Sequence, residues 1–328
     1  MSKINCDQPI NGILLLNKPQ GLSSHTALKK VQYLLRAKKA GHTGSLDPLA
    51  TGMLPLCFGE ATKFCQYLLD EDKCYQATGL LGIKTSTADA LGEVIASLDS
   101  FHITKERLIE VLQQFTGLIE QVPSMYSALK YKGVPLYKLA RQGMQIERTA
   151  RSIQVHQIKL LNFDGEKFTI EVNCSKGTYI RNLVEDIGEQ LGTYAHVTQL
   201  HRKYTASFSK EPMYSLEELS SQDPADLLHH CLLPIERAVD YMPQISVSEN
   251  QMIQLRQGKI IDLSPSHGLE LSSSRDLTAG SKDLTTAIDP AFKSQNVLVR
   301  IHNSASQFLG LGELNPLGSL KVKRLLAQ

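Results

Sequence analysis

Apolar and polar positions along the chain change rhythm several times, and each change marks an element. Ile13 to Leu16 is an uninterrupted apolar run beside Gly12, of a length that suits a buried strand. It ends at Asn17-Lys18-Pro19-Gln20-Gly21, where proline fixes φ and glycine allows a turn. Beyond it Ala27, Leu28, Val31, Leu34 and Leu35 recur at helical spacing, with Ser23 or Ser24 as the cap. Lys29, Lys30 and Arg36 fall outside that stripe, so the outer face of this helix is basic. From Lys167 the rhythm is that of a half-buried strand, with Phe168, Ile170, Val172 and Cys174 alternating with polar residues. Ile180, Leu183, Val184, Ile187 and Leu191 then return to helical spacing. Ser175 to Thr178 is therefore a strand-to-helix turn and Arg181 lies in the first helical turn, a junction of the kind that carries functional residues.

Near Ile245 the texture shifts. Ser248-Glu249-Asn250-Gln251 reads as a capping box, Gly258 as a helix end, and a long Ser/Thr/Asp/Gly-rich stretch follows to about Pro290. Val297 to Ile301, Gln307 to Leu311 and Leu320 to Leu325 are short strand-like runs separated by turns. These patterns predict an α+β chain with a large domain over residues 1–245 and a small β-rich domain over 246–328.

At 328 residues and 42% hydrophobic, the chain can bury a large core, and no early apolar run reaches signal or membrane length. A cytoplasmic location is the expectation. Cys6, Cys57, Cys65, Cys74, Cys174 and Cys231 form no C-x-x-C pair, and His196 and His201 lack helix-face ligand spacing. No metal site and no disulfide framework is expected, and the thiols read as core filler.

The net charge of +2 by itself predicts no nucleic-acid binding, yet charge is unevenly placed. Between Ile119 and Arg151, Lys130, Lys132, Lys138, Arg141, Arg148 and Arg151 face only Glu120 and Glu147, a local charge of +4. Tyr126, Tyr131 and Tyr137 interleave with these cations, a composition suited to phosphates and bases. The stretch from Met213 to Tyr241 is acidic instead, so a polyanion would be steered to one face.

The most informative run is Gly41-His42-Thr43-Gly44-Ser45-Leu46-Asp47-Pro48-Leu49-Ala50-Thr51-Gly52. Its glycines allow a tight backbone, and the proline after Asp47 pushes that residue toward an extended conformation. One carboxylate is thereby presented on a shaped loop. Taken alone the run could be a glycine-rich surface turn; neither phosphate-binding glycine signature, G-x-x-x-x-G-K-[ST] or G-x-G-x-x-G, occurs in it.

The run closely resembles the catalytic motif of the bacterial TruB family of tRNA pseudouridine synthases. Leu14-Leu15-Leu16-Asn17-Lys18-Pro19 resembles the family's structural lysine-proline motif, and Gly59-Glu60-Ala61-Thr62-Lys63 follows in order. Lys73-Cys74-Tyr75, Pro123-Ser124-Met125-Tyr126-Ser127-Ala128-Leu129-Lys130 and Cys174-Ser175-Lys176-Gly177-Thr178-Tyr179-Ile180-Arg181 continue the resemblance, which covers roughly residues 10–240.

The resemblance implies a pseudouridine synthase fold with a large mixed β-sheet and a PUA-like RNA-binding domain at the C-terminal end. It implies isomerisation of the uridine at position 55 in the T-loop of tRNA, without an external cofactor. Asp47 would be the nucleophile, attacking either ribose C1′ or the pyrimidine ring. Arg181 would keep Asp47 charged, and Tyr75, catalytic with them, would stack on the target base, with its hydroxyl also able to help remove the C5 proton. A phenol with a reference pKa near 10 is a poor base for the C5 proton. His42 would take up the position vacated by the flipped base, with Tyr179 and Leu200 lining its pocket. The insertion at about 119–151 would grip RNA through Lys130, Lys132, Lys138 and Arg141. The T-arm of tRNA is the expected partner of a monomer, with no protein partner implied.

A non-catalytic tRNA-binding or tRNA-remodelling protein is the alternative, although binding alone needs no nucleophile. A glycosidic hydrolase usually wants two carboxylates, and the sequence shows no second acid within the motif or at Arg181.

Overall fold

The computed structural model describes residues 10–263 and 295–327, apart from 224–226, 228 and 229. Cys6 and the Ser264 to Pro290 stretch lie outside the described residues. The chain forms an eight-stranded mixed sheet and a five-stranded second sheet. In spatial order the first is β1 (Gly12–Lys18), β3 (Thr51–Phe58), β12 (Ala195–Thr205), β4 (Lys73–Leu81), β11 (Lys167–Cys174), β10 (Arg151–Phe163) and β7 (Gly117–Gln121). A short β2 (Ala40–His42) also pairs with β3.

Neighbours run antiparallel except β3 and β12, which are parallel and meet only at Thr51 with His201 and Gly52 with Arg202. The two halves of the sheet therefore join at a narrow seam. The motif loop leads directly into Thr51, so it sits at that seam.

Strand β1 is buried on both faces, which explains its unbroken apolar run. Leu14 and Leu16 join one core cluster with Leu54, Phe168, Ile170 and Val172, while Ile13 and Leu15 join another with Met53, Phe64 and Phe208. The first cluster also receives Leu28 and Val31 of α1 (Ser24–Leu34), Leu108 and Val111 of α3 (Lys105–Gln114), and Leu183 and Val184 of α5 (Ile180–Gln190). Ser23 caps α1, its side chain accepting from the Thr26 N–H. The periodic stripe predicted for this helix is its buried face, with Ala27, Leu28, Val31 and Leu35 inside. A short α2 (Cys65–Leu69) follows β3.

Between β7 and β10 the insertion forms a hairpin of β8 (Lys130–Tyr131) and β9 (Val134–Pro135) followed by α4 (Leu136–Ala140). Lys132 and Gly133 both have positive φ, 47° and 83°, the signature of a two-residue hairpin turn. Met125, Leu136 and Leu139 give this insertion a small core of its own.

The second sheet runs β13 (Gln244–Val247), β15 (Val297–Asn303), β16 (Phe308–Leu314), β17 (Ser319–Leu325) and β14 (Ile261–Asp262). β13 straddles the division expected at 245/246. Ser248 and Gln251 form the capping box of the helix Glu249–Arg256, and Gly258 follows it at φ 76°. This sheet docks on the segments that follow β3 and precede β13, through Phe308, whose ring lies 5.7 Å from that of Phe64, and through His302, whose Nε2 is 2.9 Å from Glu236. The architecture is the α+β arrangement that the pattern predicts. Among the described residues no helix is long and apolar enough to cross a membrane.

Candidate active site

The motif loop is pinned from four directions. Ser24, at the start of α1, accepts from the Leu46 N–H at 2.7 Å and donates to the Leu46 carbonyl at 3.0 Å. The Gly21 N–H reaches the Pro48 carbonyl at 2.7 Å, and the Thr43 N–H reaches Pro55 at 3.1 Å. Leu46 and Leu49 are buried on either side of Asp47, each contributing about 1.5–3 kcal/mol. From β12, Arg202 donates through Nη2 to the Gly44 carbonyl at 3.1 Å and through Nε to Met53 at 2.6 Å. Gly52 has φ 99°, and a Cβ there would come 2.3 Å from the Arg202 carbonyl oxygen. Glycine is thus required where the loop turns into the seam.

Asp47 is left with its side chain 40% exposed. Arg181 is buried beneath it, with Nε 2.8 Å from Asp47 Oδ2. The second residue of α5, Arg181 also donates through Nη1 to the Thr87 carbonyl at 2.7 Å and through Nη2 to Tyr126 at 2.8 Å. All edges of the guanidinium are engaged, so its plane is fixed. Burial pushes the Asp47 carboxyl up from its ordinary value; the Arg181 charge opposes this, the neighbouring Asp89 adds to it, and Lys18 counters it.

Lys18 is fully buried, donating to the carbonyls of Pro19 and Leu22 at 2.8 and 2.7 Å. Burial lowers its pKa to about 8, with Asp47 opposing the shift.

Tyr75 on β4 lies opposite Arg202, and Leu200 lies opposite Ala77, so Tyr75, Arg202 and Leu200 share one face of the sheet. Burial raises the Tyr75 hydroxyl above its ordinary pKa, against the charge of Arg202 nearby. A phenol so placed is a weaker base candidate than a free one. Leu200 lines a recess of about 200 Å³ with Leu49, Thr51, Gln76 and His201. His201 Nδ1 is 2.8 Å from Thr51 Oγ1.

His42 sits at the end of β2, just before the loop; burial, then His25 and Arg202, lower its pKa, and its buried Nδ1 has no hydrogen-bond partner. Tyr179 immediately precedes α5, its backbone held by Gln121 through bonds of 2.8 and 3.1 Å. Its hydroxyl pKa is raised by burial, and Arg181 and Asp47 are among the charges it feels. The structure thus gathers Asp47, Arg181, Tyr75 and Tyr179 around one centre, with His42 and Leu200 on the segments that flank the loop. Lys130, Lys132, Lys138 and Arg141 lie apart, all exposed on the insertion. Lys132 lies over the Tyr131 ring at 5.4 Å and Arg141 over the Tyr137 ring at 5.5 Å.

Known proteins are similar to this chain along its length. Residues 32–180 match the description "TruB family pseudouridylate synthase (N terminal domain)". Residues 181–240 match "tRNA pseudouridylate synthase B C-terminal domain", and 287–326 match "Pseudouridine synthase II TruB, C-terminal". A protein of Legionella pneumophila named tRNA pseudouridine synthase B is 49% identical over 327 residues, 100% of this chain and 99% of that one. The chain belongs to the TruB family of pseudouridylate synthases. Relatives of the same name from Aeromonas salmonicida and Coxiella burnetii are 44% and 41% identical, covering 97% of this chain and 94% and 96% of theirs. Among solved structures, a Cbf5-Nop10-Gar1 complex matches with TM-score 0.67 at 23% identity, covering 96% of this chain and 85% of that one. An H/ACA RNP bound to a substrate RNA containing 2'-deoxyuridine matches with TM-score 0.66 at 22% identity, covering 97% and 85%. These two share the fold of this TruB-family chain.

One expectation fails. A second acid does stand at Arg181: Asp89 Oδ2 is 3.8 Å from Nη1. Asp89 is buried, its Oδ1 accepting from Thr87 Oγ1 at 2.6 Å and the Leu91 N–H at 3.0 Å. Committed to these donors and to the guanidinium, and buried, Asp89 is no free acid for hydrolysis. Arg202 was equally hidden in the sequence. Its only local signal is a cation inside a buried strand, and the only signal for Asp89 is a Thr-Ala-Asp run before a glycine turn.

Proposed function

We propose that this TruB-family protein isomerises the uridine at position 55 in the T-loop of tRNA to pseudouridine. The observation that carries the reading is the 2.8 Å pair of Asp47 and Arg181 on a loop whose shape leaves that carboxylate open to a substrate. Asp47 is the nucleophile, toward C1′ or the pyrimidine ring. The C1′–N1 bond breaks, the C1′–C5 bond forms, the C5 proton leaves to solvent and N1 gains one. Arg181 offsets the desolvation of Asp47 and keeps it ionised.

Tyr75 stacks on the flipped base, and Leu200 and Tyr179 close its pocket. A neutral His42, its charge disfavoured by burial, fills the stack that the base leaves. Lys130, Lys132, Lys138 and Arg141 pair with phosphates of the T-arm. Residues 1–245 hold the chemistry, and 246–328 form a PUA-like module that adds RNA contact. The protein works in the cytoplasm as a monomer.

Tritium release from a T-arm stem–loop carrying uridine tritiated at C5 tests the reading. The wild-type chain releases the label, and Asp47→Asn binds the same RNA without releasing it. A wild-type chain that binds the stem–loop and releases none is a tRNA-binding or remodelling protein instead.

A further inference from the structure

The basic outer face of α1 takes no part in the site described above. From Pro19 to Leu46 the chain has no Asp or Glu, yet it carries Lys29, Lys30, Arg36, Lys38 and Lys39. All five are exposed. Among the described residues no carboxylate lies within salt-bridge distance of them. None of them falls in the last turn of α1, where it would serve the helix dipole. Lys29, Tyr33 and Arg36 recur at helical intervals, and Tyr33 is 83% exposed. Lys29, Tyr33 and Arg36 line a shallow depression of about 650 Å³.

The way α1 ends is a second, independent sign. The Ala37 N–H bonds to the Gln32 carbonyl at 3.0 Å and the Arg36 N–H to Tyr33 at 3.1 Å, with Arg36 at φ 51°. This is a Schellman cap whose left-handed position ordinarily goes to glycine. Here an arginine takes it, against backbone preference, and it is exposed on the rim of the depression that Tyr33 also lines.

We propose that Lys29, Lys30, Tyr33 and Arg36 form a second RNA-contact surface, holding phosphates of the substrate RNA away from the flipped nucleotide. The proposal rests on the function proposed above. The same helix links the two places. Its first residue, Ser24, holds Leu46 beside Asp47, and Lys29 to Tyr33 lie about 8–14 Å further along the axis. RNA bound at the loop would extend its backbone over this distance. Cations with no carboxylate partner meet the phosphates, Lys29 exchanging its bond to Gln32 Oε1, and the exposed tyrosine meets an unstacked base.

The test measures two RNAs, an unmodified full-length tRNA transcript and the isolated T-arm stem–loop. Combining Lys29→Ala, Lys30→Ala and Arg36→Gly should weaken binding about 10-fold or more at physiological salt. It should also lower the log–log salt slope by roughly 2 to 3. Single-turnover conversion at saturating RNA should not change. Loss on the full tRNA alone places the contact outside the T-arm, and loss on both places it within. Arg36→Gly alone separates binding from folding, because glycine suits the cap: its melting temperature should hold or rise while RNA affinity falls. Wild-type affinity and salt slope of the triple variant on both RNAs would overturn the proposal, as would an Arg36→Gly chain that loses stability but keeps affinity. A wild-type chain that binds RNA without isomerising it would sink the proposed function and leave this binding comparison intact.

Discussion

Asp89 stands 3.8 Å from Nη1 of Arg181, while Asp47 meets the same guanidinium through Nε at 2.8 Å. One buried cation therefore serves two carboxylates, only one of which is open to a ligand. The two neighbours of Asp47 act on it with opposite sign, because Arg181 lowers its pKa and Asp89 raises it.

Replacing Arg181 with Met removes the cation and leaves the burial. The Asp47 carboxyl, already raised, should rise further, so the acidic limb of the single-turnover rate profile should move to higher pH. The rate on the plateau should fall by roughly 100-fold or more. An unmoved limb would show that Asp47 ionisation does not govern the rate.

Asp89→Asn should move the same limb the other way, to lower pH, since it removes a neighbouring negative charge. The plateau rate should fall about 10-fold because Arg181 loses one of the groups that orient it. A shift in the same direction as Arg181→Met would mean that Asp89 acts on packing and not on charge.

Tyr75→Phe should bind T-arm RNA about as well as the wild type, because the ring is retained. Tyr75→Leu should weaken binding by roughly 1–3 kcal/mol, the worth of one stacked base. Equal affinities for Tyr75→Leu and the wild type would reject stacking as its role.

The four exposed cations of the insertion make no ion pair with Asp47, which pairs with Arg181, so changing Lys130, Lys132, Lys138 and Arg141 to Ala should alter affinity far more than saturating rate. The log–log salt slope should fall by up to about 3, at roughly 0.7 per lost phosphate contact. Titrations at several salt concentrations would read it. Unchanged affinity with a collapsed saturating rate would make this segment a shaper of the active site.

Asp186 on α5 offers a prediction about stability. Burial, with Glu185 and Glu189 nearby, pushes its carboxyl up to about 6 from 3.8. Between those values the folded chain binds more protons than the unfolded one, so stability falls as pH rises through that window. Asp186→Asn should therefore gain on the wild type from pH 4 to 6 and hold a constant advantage above it. Solvent screening of this half-buried group limits the advantage to about 1 kcal/mol. Urea midpoints at pH 4.5 and 7.5 would show it, and an equal offset at both would reject the titration.

The elements of this fold that were legible in the sequence are those whose periodicity is local. β1, α1, β11 and α5 each declare themselves by burial rhythm, and the Ser248–Gln251 capping box does so by side-chain chemistry. Asp47 was legible because glycines and a proline announce a shaped loop. Asp89 and Arg202 were not, because their partners lie far away in the chain: Asp89, in the connection between β5 (Ile83–Thr85) and β6 (Val94–Ser97), meets Arg181, and Arg202 meets Gly44. The narrow seam between β3 and β12 was hidden for the same reason, since two residue pairs leave no mark on either strand's pattern.

The clasp of Arg202 on Gly44 and Met53 spans 158 and 149 positions of sequence. A growing chain therefore carries the complete motif long before it carries the side chain that shapes it. Contacts so distant in sequence form late in folding. Until β12 has docked, the loop lacks its clamp, and until α5 has docked Asp47 lacks its cation. The order of synthesis thus delays the reactive carboxylate, and a chain cut short before β12 would display the motif without its folded arrangement.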